Sequence, residues 1–259
     1  MKQRLNCIRI SFTGFVFLAT ILFCGCKNIS NKETPINEKN DSTKFNGVYK
    51  SYRDGYLYSE VTLKDGKKEG LAKKFYKNGR INTEVYYKNN IKVDTSRWYY
   101  TDGKIYRETP YQNGVVHGIQ KKYHRNRLLK AEIPYVYGKR KVGLKEYSIY
   151  NNPVKSYPSI SHIITDKRAE NRQVILTVRL SNNSQNVKFY QGELEKGIFD
   201  TDKIKYILTE KGKGSITFVE KPDFEGKNQI NIIAYYKTKN GNYKILHKRI
   251  PMPSTHLKE

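Results

Sequence analysis

Matched residues recur every 24 positions between Gly47 and Gly143, and this repeat constrains the fold more than any other feature of the chain. A fixed period of this length marks a stack of supersecondary units, each of which buries apolar residues only against its neighbours. The repeat therefore predicts an architecture, although it names no activity. Four series share the period: Gly55, Gly79, Gly103 and Arg127; Gly66, Asn90, Gly114 and Gly138; Glu60, Glu84, Glu108 and Glu132; and Leu57, Ile81, Ile105 and Leu129.

Each repeat unit contains two alternating segments separated by tight turns. Asn78-Gly79 and Asp102-Gly103 stand between such segments. Asn-Gly and Asp-Gly are strong hairpin signals because these residues tolerate a positive φ. We therefore predict one β-hairpin per unit and a continuous antiparallel meander. Arg127 replaces the turn glycine in the fourth unit, which predicts a different turn there.

The period stops after Asn151-Asn152-Pro153, and short alternating segments without repetition follow. Six or seven short strands in about a hundred residues are typical of an immunoglobulin-like β-sandwich. The predicted fold class is therefore all-β, with a repetitive antiparallel hairpin meander followed by a β-sandwich. The predicted strands of the sandwich cover residues 174–180, 187–190, 204–208, 215–219, 230–236 and 243–250.

The N-terminal residues indicate an exported, lipidated protein. Basic residues precede an apolar run over residues 10–23, which is too short to span a bilayer comfortably. The run leads into Leu22-Phe23-Cys24-Gly25-Cys26, which resembles the lipobox of bacterial lipoproteins. The resemblance implies that Cys26 is acylated and becomes the mature N-terminus. An uncleaved membrane anchor is the alternative interpretation.

The three cysteines are Cys7, Cys24 and Cys26, so the mature protein would keep only the acylated Cys26 and can form no internal disulfide. Residues 27–44 are almost entirely polar and are typical of a solvated tether. We expect a location in the bacterial cell envelope, at the outer membrane, with either face possible. The predicted organisation is a signal peptide (1–25), a lipidated tether (26–45), hairpin repeats (46–152) and a sandwich (153–259).

The chain is strongly basic, with 49 Lys and Arg against 24 Asp and Glu and a net charge of +25. Such a charge favours an acidic partner. For an exported lipoprotein, we expect an acidic protein, an anionic glycan or lipid headgroups rather than nucleic acid. A lysine-rich surface that only keeps a repeat protein soluble is the other interpretation.

Two successive repeat units share a motif of aromatic residues followed by a turn. The motif reads Gly70-x-x-x-x-Phe75-Tyr76-x-Asn78-Gly79 and then Trp98-Tyr99-Tyr100-x-Asp102-Gly103-Lys104. In these residues the segment 47–150 resembles the YwqK family of MORN-variant repeat proteins, which are described as toxin–antitoxin system antitoxins. The resemblance implies MORN-like β-hairpin repeats, contacts with membranes or proteins, and an antitoxin role.

Aromatic residues also follow the repeat. They are interpreted either as cross-strand packing or as an exposed stripe that stacks on sugar rings or binds the edge of a partner. Because neighbours in a strand face opposite sides, we expect either the Phe75, Tyr99 and Tyr123 series or the Tyr76, Tyr100 and His124 series to be buried. The candidate partner-binding stripe is Tyr76, Tyr100, His124, Tyr87, Tyr111 and Tyr135.

The chain contains no recognisable catalytic motif. Its five histidines are scattered without metal-ligand spacing. The glutamate series forms a row rather than a convergent shell, so pairing with lysine, arginine or turn amides is expected instead of metal binding. We therefore expect no enzymatic activity, cofactor, metal or small-molecule substrate.

Three functions remain open at the level of sequence. The first is a binding or scaffolding lipoprotein of the envelope that uses its repeat sheet and sandwich. The second is an antitoxin or immunity protein that neutralises a toxin in the periplasm. The third is a cell-wall glycan hydrolase with a pair of carboxylates.

Overall fold

The computed structural model describes residues 45–219 and 229–253, which belong to one compact unit. Cys26 and the predicted leader and tether up to residue 44 lie outside the described residues. Strands dominate the described part of the chain, and the prediction of an all-β fold is confirmed. None of the described residues forms a helix with the length and apolar character needed to cross a membrane.

The repeat region folds as the predicted antiparallel meander. It belongs to a 12-stranded sheet in which consecutive hairpins pair with one another. Eleven of the twelve strands come from this region: β1 Gly47–Arg53, β2 Tyr56–Lys64, β3 Lys67–Phe75, β4 Ile81–Lys88, β5 Ile91–Tyr99, β6 Ile105–Gln112, β7 Val115–Val116, β8 Gly118–Tyr123, β9 Leu129–Val136, β10 Lys139–Lys141 and β11 Lys145–Glu146.

The turn at Arg127 has the same geometry as the glycine turns, so the prediction of a different turn was wrong. Arg127 has a φ of 70°, and its backbone N–H donates to the carbonyl of His124 at 2.9 Å. Gly79 makes the equivalent 2.9 Å bond in its own turn. The Asn126 side chain accepts a hydrogen bond from the N–H of Leu128. This local bond favours the turn despite the unfavourable conformation of Arg127.

The first five strands form a single layer with both faces open. Apart from Thr83 and Ser96, every residue of β1 to β5 is exposed or half-buried. Buried apolar side chains in the described residues begin only at Ala131. Backbone hydrogen bonds and cross-strand side-chain pairs therefore stabilise the N-terminal hairpins.

The strands of the C-terminal region are β12 Ile160–Lys167, β13 Gln173–Leu180, β14 Val187–Gln191, β15 Ile198–Phe199, β16 Lys205–Ile207, β17 Thr209–Glu210, β18 Lys213–Val219, β19 Gln229–Lys237 and β20 Tyr243–Pro251, with a short helix α1 Arg168–Asn171 after β12. All of these strands except β15 form two four-stranded sheets, ordered β12-β13-β18-β17 and β16-β14-β19-β20. A shared core that includes Leu176, Phe189 and Ile232 joins the two sheets. The order matches the ABED and CFG sheets of immunoglobulin-like sandwiches, with β16 added at an edge.

The sandwich also packs against the last hairpins of the repeat sheet. Strand β15 pairs with β10 and continues the large sheet. Phe199, Tyr235 and Tyr243 stack in sequence with centroid spacings of 4.8 Å. The C-terminal end of the meander is therefore covered, whereas β1 pairs only with β2 and forms a free edge among the described residues.

Candidate partner-binding surface

The two faces of the repeat sheet differ in chemistry. Cross-strand pairing places Glu84, Arg97 and Glu108 on one side, which we call the glutamate face. The opposite side carries Trp98 and Arg107 and is called the tryptophan face. The distinction matters because only one face has its charges balanced.

A row of alternating charge crosses the glutamate face. Neighbouring members are direct register partners. Ion pairs are short at Lys73–Glu60 (3.4 Å) and Arg97–Glu108 (3.1 Å), so the expected pairing of the glutamate series with cations is confirmed. From β1 to β11 the row is Lys50, Glu60, Lys73, Glu84, Arg97, Glu108, Lys121, Glu132 and Lys145.

Tyrosine hydroxyls bond to three members of the glutamate series. Each bond joins a glutamate to the tyrosine 15 residues later in the chain. Burial, followed by the bond to Glu108, raises the pKa of Tyr123 to about 12. The bonds are Tyr99 to Glu84, Tyr123 to Glu108 at 2.7 Å and Tyr147 to Glu132 at 3.1 Å.

A second aromatic series joins each hairpin to the next at the turns. In every case the side chain contacts a backbone carbonyl 23 residues later. The Tyr76 and Tyr100 hydroxyls donate to the carbonyls of Tyr99 (2.6 Å) and Tyr123 (2.8 Å), and His124 Nε2 lies 3.1 Å from the carbonyl oxygen of Tyr147. The polar atoms of Tyr76, Tyr100 and His124 are therefore used within the sheet.

The expectation that one of two adjoining aromatic series would be buried was wrong. Tyr76, Tyr99, Tyr100 and Tyr123 are all half-buried. The alternation rule assumes that one face of the sheet covers a core. A single layer has no such core, so neither series is removed from solvent.

The other half of the predicted stripe lies on the tryptophan face. Tyr87 and Tyr111 are half-buried there, whereas Tyr135 packs against the buried cluster of Ala131 and Ile133 near the sandwich. The six predicted stripe residues thus form two separate series. Of the six, only Tyr87 and Tyr111 contribute rings to the open part of this face.

Cations lie over the aromatic rings of the tryptophan face. The sequence interpretation did not single these cations out, although Lys68 and Lys92 follow the same 24-residue period as Tyr87 and Tyr111. Contacts of this kind contribute about 0.5–1 kcal/mol at exposed sites. They are Lys68 over Tyr87 (5.2 Å), Lys92 over Tyr111 (5.1 Å), Arg107 over Trp98 (4.0 Å), Lys74 over Tyr58 (5.7 Å) and Arg140 over Tyr135 (5.3 Å).

Among the in-register residues that β2 to β6 place on this face, the one carboxylate is that of Asp94, which lies opposite Tyr111. The row through Trp98 reads Ser59, Lys74, Thr83, Trp98, Arg107 and Lys122. Lys68 and Lys74 also border a depression of about 140 Å³, whose lining includes Val61, Val85 and Glu60. The tryptophan face is therefore a cationic and aromatic surface, and it can hold carboxylates or other anions.

A buried polar cluster lies where the tryptophan face meets the sandwich. Glu146 is only 2% exposed and accepts hydrogen bonds from Thr238 (2.8 Å) and Asn242 (2.7 Å). Lys122 Nζ donates to Asn242 Oδ1 at 2.7 Å. Burial, together with the neighbouring arginines, lowers the pKa of Lys122 to about 8. These bonds lock the last hairpins to the β19–β20 turn.

Within residues 45–219 and 229–253, no group of three or more His, Cys, Asp or Glu side chains is arranged to hold a metal ion. Comparisons with protein-family models, with curated proteins and with solved structures found no match.

Proposed function

We propose that this protein is a non-enzymatic binding module that holds an acidic protein on the tryptophan face of its repeat sheet. One observation carries the proposal: Lys68, Lys74, Lys92 and Arg107 share an open face on which Asp94 is the one carboxylate among the in-register residues of β2 to β6. A cationic surface with aromatic side chains between the charges is suited to an acidic protein surface.

The geometry favours an acidic protein over a glycan. Stacking on sugar rings requires an open aromatic face, but Tyr87, Tyr111 and Trp98 each have a cation over the ring. The cations remain available to carboxylates because Lys68 and Lys74 are exposed. An anionic glycan held by charge alone is the competing occupant.

We also propose that the module is tethered to the bacterial cell envelope, at the outer membrane, through a lipid on Cys26. The lipobox-like residues ending at Cys26 support this location. Under this proposal the sandwich fixes one end of the sheet and the tether positions it at the membrane. An immunity protein that neutralises an acidic toxin would use the same surface, so the identity of the partner separates scaffolding from immunity.

The test is a crosslinked pull-down from the native envelope at low and moderate salt, with mass spectrometry of the captured material. The test variant combines Lys68→Glu, Lys92→Glu and Arg107→Glu on the tryptophan face. The matched control combines Lys188→Glu, Lys205→Glu and Lys239→Glu, which make the same charge change at exposed positions of the sandwich.

We expect one acidic protein to be captured by the unaltered chain and by the control, and at least tenfold less of it by the test variant. Equal capture by both variants would show that overall charge, rather than the tryptophan face, holds the partner. Capture of salt-labile glycan alone would mean that the ligand is a polyanionic glycan and not an acidic protein.

A further inference from the structure

The free edge of the repeat sheet is formed by β1. This strand pairs with β2 on one side, and no described strand lies on its other side. In an antiparallel ladder, every second residue of an edge strand directs its N–H and C=O groups outward. Val48, Tyr49 and Tyr52 are 54%, 55% and 67% exposed, so the edge is accessible on both faces.

The alternating charge row stops abruptly at this edge. Interior cations have a glutamate on both neighbouring strands, as Lys73 does with Glu60 and Glu84. Lys50 has only Glu60 as a register partner, and the Glu60 carboxylate is paired with Lys73 at 3.4 Å. No carboxylate of the described residues forms an ion pair with Lys50. On a strand added outside β1, the residue opposite Lys50 is therefore expected to be a glutamate or an aspartate.

A groove beside the edge extends the same pattern. Its volume is about 340 Å³, and its lining includes Val48, Lys50, Glu60, Leu71 and Lys73. Side chains of an added strand would form the missing wall of this groove. Because Glu60 pairs with Lys73, the ammonium group of Lys50 is the one left for an acid, and it lies beside the apolar side chains of Val48 and Leu71.

A second copy of this chain does not meet the requirement. The sequence of β1 is GVYKSYR, which contains no acidic residue. Two β1 edges would place Lys50 opposite Lys50, Arg53 or an uncharged residue. The far end of the sheet is covered by β15 of the sandwich and is not free to pair with β1.

We propose that β1 takes up an extended acidic segment of a partner protein as an additional antiparallel strand, with a glutamate or aspartate opposite Lys50. The proposal rests on the proposed function in that the partner is an acidic protein, but it uses the sheet edge and not the tryptophan face. Main-chain hydrogen bonds supply affinity in this mode, and alternate side chains supply specificity.

Strands of the repeat sheet show which sequence pairs with a cation of the charge row. Strands β2, β4, β6 and β9 each place a glutamate in the charge row, followed by a β-branched residue on the opposite face: Val61, Val85, Thr109 and Ile133. The β4 sequence, INTEVYYK, is therefore a suitable synthetic probe. The same peptide with Glu84→Lys is its matched control.

The experiment measures binding of both labelled peptides to the full mature chain by fluorescence anisotropy. Opposite charges directly across a strand pair are stabilising, and like charges there are destabilising. We therefore expect the glutamate peptide to bind roughly five- to tenfold more tightly than the lysine peptide. Lys50→Glu should reverse this preference, and Lys77→Glu, at an exposed turn position, should leave it unchanged.

Hydrogen exchange locates the bound peptide. Binding at the edge should protect backbone amides of β1 and leave those of β9 unchanged. No protection in β1, or an unaltered peptide preference in the Lys50→Glu variant, would overturn the proposal. The triple variant of the tryptophan face should keep peptide binding, so failure at the edge and failure of the proposed function give different results.

Discussion

The hydroxyl of Tyr123 donates a 2.7 Å hydrogen bond to the carboxylate of Glu108, and this bond is repeated one unit earlier and one unit later. The first repeat lacks it, because the position equivalent to Tyr123 is Phe75 and Glu60 pairs with Lys73 instead. The sheet therefore contains its own comparison between a glutamate with a phenol partner and one without.

Tyr123→Phe should lower the free energy of unfolding by about 1 kcal/mol, because a bond to a charged acceptor is lost at a half-buried site. Phe75→Tyr should raise it by about 0.5 kcal/mol, because Glu60 gains a donor. Urea denaturation at neutral pH measures both changes. A stabilising Tyr123→Phe would show that the phenol bond does not support the sheet.

The same bond predicts a loss of stability at alkaline pH. The pKa of Tyr123 is raised to about 12 in the folded protein, whereas an unfolded tyrosine titrates near 10. The contribution is therefore fully present below about pH 10 and is lost as the pH rises through about 12. Tyr123→Phe should reduce the slope of stability against pH in this window, and Tyr137→Phe, at an exposed turn, should leave it unchanged.

The local pattern of the repeats could be predicted from sequence, but long-range packing could not. Turn residues such as Gly79 and Gly103 report directly on backbone conformation, so the hairpins were predictable. Strands β12, β15 and β17 were not among the predicted strands. The bond between Lys122 and Asn242 joins residues 120 positions apart, and no local periodicity indicates it. The cations of the tryptophan face were not singled out, because the periodic tyrosines were interpreted as the binding stripe.

The turn at Arg127 provides a test of backbone strain. Its φ of 70° is unfavourable for a residue with a side chain. Arg127→Gly should raise the free energy of unfolding by about 0.5–1 kcal/mol. The reverse change, Gly103→Arg, should lower it by a similar amount, because no other atom lies within 4 Å of the added Cβ and only conformation is affected. Thermal unfolding measures the change in stability of each variant. Two changes in the same direction would contradict the strain argument.

Lipidation predicts a specific labelling pattern. In a bacterial host supplied with an alkyne-tagged fatty acid, the unaltered protein should carry the label and fractionate with outer membranes. Cys26→Ser should abolish labelling, because the proposed acylation site is lost. Cys24→Ser is the matched control and should retain the label, since it changes a cysteine inside the leader. Label that remains in the Cys26→Ser protein would assign the lipid to another site, whereas an unlabelled protein that still fractionates with membranes would indicate an uncleaved anchor.

The junction between the sheet and the sandwich predicts a rise in stability with pH. Lys122 faces Arg107, Arg140, Lys130 and Glu146, and its pKa is lowered to about 8.

An unfolded lysine titrates near 10.4, so between about pH 8 and 10.4 the unfolded chain binds more protons than the folded chain. The free energy of unfolding should therefore increase across this window. Lys122→Met should flatten the increase, leaving the smaller part from Lys244, whose pKa is also lowered by burial. Urea denaturation at intervals from pH 7.5 to about 9.5 measures the slope, below the range in which tyrosine ionisation opposes it. An unchanged slope in Lys122→Met would mean that the buried ammonium does not control the stability of this junction.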